Sequence, residues 1–100
     1  MSIFKGSLDL QEREVSATRK EYEYGLNQAV PGCVHIDGDS IFISRDGVRI
    51  RIDISPMPDL QIALLRLSRL KATWNFLEGS EEAKAKLVDH IDWSMKRGGG

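Results

Sequence analysis

Three groups of side chains in this 100-residue sequence have types that could do chemistry. The first is His35, Ser40 and Asp53, the residue types of a nucleophile, a base and an orienting acid. Two Asp-Gly pairs, Asp37-Gly38 and Asp46-Gly47, mark two-residue hairpin turns and so set a register for the segments around them. With Asp46-Gly47 as the loop, Ile43 faces Ile50, Phe42 faces Arg51, Ile41 faces Ile52 and Ser40 faces Asp53. With Asp37-Gly38 as the loop, Val34 faces Ile41, Cys33 faces Phe42 and His35 faces Ser40. The three residues then form one cross-strand row, with neighbours about 4.5–5.5 Å apart at Cβ. The order is wrong for catalysis. Ser40 sits between the other two, whereas the base must sit between nucleophile and acid.

The second group is Cys33 and His35, a thiol and an imidazole two residues apart on one strand. Their side chains project in parallel, and no third group orients the pair. The third group is Asp89, His90 and Asp92. On a helix His90 and Asp92 point about 200° apart, so they do not converge on a metal. Asp37-Gly38-Asp39 is too short for a calcium loop. No phosphate-binding loop, dinucleotide fingerprint or zinc spacing occurs. Glu12/Glu14 and Glu21/Glu23 diverge on a helix and read as a solvated face. The expectation is a protein with no catalytic residues, no metal and no cofactor, and hence not an enzyme.

The elements that hold these residues follow from periodicity. Residues 8–28 are rich in helix formers, with Ser7 as a cap, and Leu8, Val15, Tyr22 and Ala29 recur every seven residues. The spacing predicts a helix over 8–28, ended by Pro31-Gly32, although Leu8/Leu10 and Tyr22/Tyr24 also fit strand alternation. Residues 33–36, 40–44 and 48–54 predict an antiparallel three-stranded meander. One face of it is aliphatic (Val34, Ile36, Ile41, Ile43, Val48, Ile50, Ile52, Ile54) and must be covered. The other carries Cys33, His35, Ser40, Phe42, Ser44, Arg49, Arg51 and Asp53. Pro56 and Pro58 are expected to stop the third strand. Asp59 then caps a helix over 60–77, with Leu60, Leu64, Leu67, Leu70, Trp74 and Leu77 as its stripe. Ser80 caps a last helix over 81–96 that buries Ala83, Leu87, Ile91 and Met95, with Trp93 near the edge. The predicted class is α+β, in the order α-β-β-β-α-α. It comprises a single domain over 1–97 and a flexible tail over 98–100, with helix 60–77 covering the aliphatic face.

Composition narrows the function classes. Hydrophobic residues make up 41% and charged residues 29%, values that permit one modest core and argue against wholesale disorder. Net charge is −1, with six basic and eight acidic side chains in residues 1–50 and eight and seven in 51–100. Neither half carries the positive field that direct nucleic-acid binding relies on. One cysteine allows no internal disulfide, and no apolar run reaches the ~18 residues of a membrane span. A cytoplasmic monomer or homodimer without membrane contact is expected.

The expected activity is binding. The chain is read as a small non-enzymatic interaction protein whose partner is a protein or a ribonucleoprotein complex. Phage-encoded inhibitors of host complexes, such as anti-CRISPR proteins, are of this size and charge. The contact residues are expected to be Phe42, Arg49 and Arg51 on the polar sheet face, with Tyr24 as a further anchor. A ribbon-helix-helix DNA-binding regulator is the alternative, with Arg49, Arg51 and Asp53 entering the groove from strand 48–54. A small enzyme subunit is the third reading.

Overall fold

Residues 10–98 are described by the structure, a computed structural model. Strand β1 (Leu10–Val15) leads into helix α1 (Arg19–Ala29). Strands β2 (Val34–Asp37), β3 (Ser40–Arg45), β4 (Val48–Ile62) and β5 (Leu65–Glu78) follow, and helix α2 (Glu81–Gly98) closes the chain. The strands make one five-stranded sheet in the order β1-β5-β4-β3-β2, antiparallel at every step. The class is α+β, and both helices supply core residues to one face of the sheet.

The meander forms as its turns require. The β3–β4 register is the one set by Asp46-Gly47, from Ile43↔Ile50 to Ser40↔Asp53. Asp46 and Gly47 both have positive φ, 51° and 79°, as a type I′ turn demands. The β2–β3 turn is displaced by one residue, to Gly38-Asp39, where only Gly38 has positive φ (62°), the pattern of a type II′ turn. Val34 therefore faces Ile43 and His35 faces Phe42, in place of the expected Ile41 and Ser40. The side assignment survives, since the partner shifts by two.

Two helix expectations are corrected. Residues 10–15 of the expected helix 8–28 form an edge strand, and the helix begins only at Arg19. Its start is fixed by a capping box. The Thr18 hydroxyl accepts from the Glu21 backbone N–H at 3.2 Å, and the Glu21 carboxylate accepts from the Thr18 N–H at 2.9 Å. Strand β1 is held by β5 through cross-strand ion pairs, Glu12 with Lys71 at 3.4 Å and Glu14 with Arg69 at 2.5 Å. The expected Ser7 cap lies outside the described residues.

Helix 60–77 does not exist. Pro56 and Pro58 do not end β4, which runs on to Ile62, turns at Ala63-Leu64 and returns as β5. The competing signal was alternation. Leu70, Ala72, Trp74 and Phe76 point to the helix side and are buried, while Lys71, Thr73 and Asn75 point away. Pairing with the isoleucines of β4 outweighs the helix preference of the leucines. The aliphatic face is covered instead by α1, through Tyr22, Leu26 and Ala29, and by α2, through Leu87 and Ile91.

The last helix forms where capping places it. The Ser80 hydroxyl accepts from the Ala83 N–H at 3.1 Å, and Ala83 and Met95 pack beside buried Leu87 and Ile91 as expected. Helix α2 continues to Gly98, the first residue of the expected tail, and the other two lie outside the described residues.

The β4–β5 turn is a backbone anomaly. Ala63 has φ 54° while Leu64 does not, the pattern of a II′ turn, whose first position favours glycine. Ala63→Gly is expected to raise stability by up to about 1 kcal/mol, the left-handed cost outweighing the added chain entropy. An unchanged m-value with a higher urea midpoint would record it; a lower midpoint would refute it.

Candidate interaction surface

The sheet has one face on the helices and one without them. Parity assigns His35, Asp37, Ser40, Phe42, Arg49, Arg51, Asp53, Thr73, Asn75, Glu12 and Glu14 to this second, outer face. No helix lies over it among the described residues; the core residues of α1 and α2 lie on the other face.

At the β3–β4 pair, Phe42 stands directly opposite Arg51, as the register requires. Its ring centroid is 6.5 Å from that of His35, tilted by 45°. Phe42, His35, Cys33, Ser44 and Arg49 line a shallow depression there. Arg49 reaches Glu78 at 3.3 Å, with both side chains more than half exposed. Such a pair is worth little to stability and is open to exchange for a partner's carboxylate. The stacking of an arginine on an aromatic ring occurs elsewhere. Arg13 lies over Trp74, 4.5 Å from the centroid, on the helix side.

Asp53 organises the middle of the face. It accepts from the Ser40 hydroxyl at 2.8 Å and from the Asn75 amide at 3.3 Å. Arg51 Nε lies 3.3 Å from Oδ2, the oxygen that accepts from Asn75, without the alignment of a hydrogen bond. The expected row of His35, Ser40 and Asp53 becomes Asp37, Ser40 and Asp53 once the β2 register is known. Ser40 donates straight to a carboxylate with no imidazole between them.

The other sequence-level groups disperse. Cys33 and His35 share the rim of the depression, but His35 turns to Phe42. His90 Nε2 is 2.7 Å from the Ala29 carbonyl at the end of α1, whereas Asp92 binds Arg13 at 2.5 Å. Among the described residues no group of three or more His, Cys, Asp or Glu is placed to hold a metal ion.

Tyr24 does not join Phe42, Arg49 and Arg51. It sits on α1, 67% exposed, beside a cleft also lined by Val15, Gly25, Trp74 and Met95. Tyr22 is the buried member of the pair. Its hydroxyl accepts from Trp74 Nε1 at 2.9 Å, and burial pushes its pKa up to about 12, against the smaller opposing pull of the Trp74 hydrogen bond and the Arg13 charge.

The feature missed by sequence reasoning is an arm. Strand β3 pairs with β4 only as far as Asp53, and β1 pairs with β5 only from Leu70 onward. Beyond those points the β4–β5 hairpin continues with no strand on either side among the described residues. A bulge between Met57 and Leu60 adds one residue to β4. It moves Leu60 and Ile62 from the helix side to the outer face, opposite Leu67 and Leu65. All four are exposed, as is Leu64 at the tip, which is 99% accessible. The signal was available in the leucines of 60–67, but a helical stripe absorbed them. No protein-family model and no curated protein sequence matches this chain. No helix of the structure is long and apolar enough to cross a membrane.

Proposed function

We propose that this chain is a non-enzymatic interaction domain that binds another protein, or a complex containing one, through the outer face of its sheet. The observation that carries this reading is the uncovered face itself. It presents one aromatic side chain, Phe42, between His35 and Arg51, with Arg49 close by, on a rigid β3–β4 pair. Aromatic and arginine side chains of this kind dominate interface energetics. Tyr24, on the helix layer, belongs to a different surface and would serve a second contact.

The finer reading, an inhibitor of a host complex of the phage-encoded kind, rests on size and charge alone. The ribbon-helix-helix alternative needs a free strand followed by two helices. Here β4 is flanked by β3 and β5, and residues 65–78 are strand.

Phe42→Ala and Arg51→Ala are each expected to weaken capture of the native-host partner by about tenfold or more. Circular dichroism should stay at wild type, because both side chains lie on the side away from the core. Wild-type capture by both variants would refute the outer face as the interface.

A further inference from the structure

The arm has two edges and two faces, and they are treated differently. On the β4 edge, Ile54 turns its N–H toward β3 and donates to Asp39 at 2.9 Å. Pro56 continues that parity, so the next position facing the free edge lacks an N–H, and Pro58 brings a second residue without an N–H into the bulge that follows. The β5 edge carries Arg66 and Arg69. Proline and charge are the devices that oppose strand addition. The outer face of the arm has no such device. Leu60, Ile62, Leu65 and Leu67 form an aliphatic strip, with Leu64 at its end. The charges at its base are already engaged, Arg69 with Glu14 at 2.5 Å and Lys71 with Glu12 at 3.4 Å.

We infer that a second copy of this chain covers the strip, arm face against arm face about a two-fold axis. The strip offers no donor, acceptor or free charge by which a chemically different partner would be selected. Its complement is another aliphatic strip, which a two-fold axis supplies by construction. The area fits this role. Five aliphatic side chains approach the ~300–600 Å² of the largest patch on a typical monomer. That is a large share of the ~800 Å² per partner in a stable interface, and Met57 and the adjoining outer face lie next to it. The depression at Phe42 stays clear of this contact, so self-association and partner binding occupy separate parts of one face.

Sedimentation velocity of the full chain between about 1 and about 100 μM reads the outcome. The wild type is expected to be a dimer that dissociates on dilution. Leu65→Asp and Ile62→Asp bury an unpaired charge in the contact and should raise the dissociation constant by roughly a hundredfold or more. Gln61→Asp, on the reverse face of the same arm, should leave the dimer intact. Leu65→Ala with Leu67→Ala serves if an aspartate variant loses its circular dichroism. A wild-type monomer at every concentration overturns the inference, and its flotation with phosphatidylcholine–phosphatidylserine vesicles would assign the strip to lipid instead. A dimer that survives Leu65→Asp, or one that Gln61→Asp breaks equally, also overturns it.

Discussion

Trp74→Ala is expected to cost about 3–5 kcal/mol of folding stability, the range for removing a large aromatic from a packed core. Trp74 is 1% exposed and is among the largest fully buried side chains. Its indole holds several layers together. It pairs with Ile52 across β4 and with Gln11 of β1, donates to Tyr22 of α1, and lies beneath Arg13, which reaches Asp92 of α2. Truncation leaves a cavity, an orphaned phenol and an arginine without its platform. For a domain of this length the fall in melting temperature is roughly 15–30 °C. Trp74→Phe keeps the ring under Arg13 and loses the donor, so about 1–3 kcal/mol is expected there. Urea unfolding at neutral pH compares the two. A loss under about 1.5 kcal/mol for alanine would mean that the site collapses without consequence for the sheet.

The second large effect is a pH dependence. Tyr22 titrates near 10 in an unfolded chain, and burial pushes it to about 12 in the folded protein. The folded state therefore holds the phenolic proton more tightly. Its contribution is fully present below pH 10 and is lost as pH rises toward 12, amounting to about 2–3 kcal/mol at the end of that window. Tyr22→Phe removes this slope. At pH 8 it is also expected to be less stable by about 1 kcal/mol, since Trp74 Nε1 loses its acceptor. The two stability curves should meet and cross between pH 10 and 12. Parallel curves would show that the phenol titrates alike in both states.

Local chemistry was legible in the sequence wherever one residue type dictates one geometry. The Asp46-Gly47 turn fixed the β3–β4 register, and Ser80 marked the start of α2. At the β2–β3 turn two adjacent residue pairs could serve; Gly38-Asp39 needs positive φ at Gly38 alone, whereas Asp37-Gly38 would need it at Asp37 as well. The Thr18-Arg19-Lys20-Glu21 capping box was also present in the sequence and would have started α1 at the right place. The β4–β5 hairpin was not legible in the same way. Leu60, Leu64, Leu67, Leu70, Trp74 and Leu77 satisfy helical spacing, yet they end on the outer face, at the tip, on the helix side and in a bulge. Their common fate depends on the edge of β4 opposite β3 needing a strand to pair with, a long-range fact that no window of β5 contains. The Phe42–Arg51 pair was legible because it hangs on a turn; the arm was not, because it hangs on the whole sheet.

The extra residue between Met57 and Leu60 works as a phase slip in the hydrophobic pattern. Before it, even-numbered residues of β4 feed the core; after it, even-numbered residues of the same strand leave the core side altogether. One chain thereby writes two greasy surfaces on opposite sides of a single sheet, which its own helices cannot cover together. Deleting one residue at the slip would remove the bulge and leave Leu60 and Ile62 on the outer face, since each shares a face with its cross-strand partner, Leu67 or Leu65. The two residues Pro58 and Asp59, set against one residue of β5, thus mark the point along β4 where its aliphatic pattern changes sides.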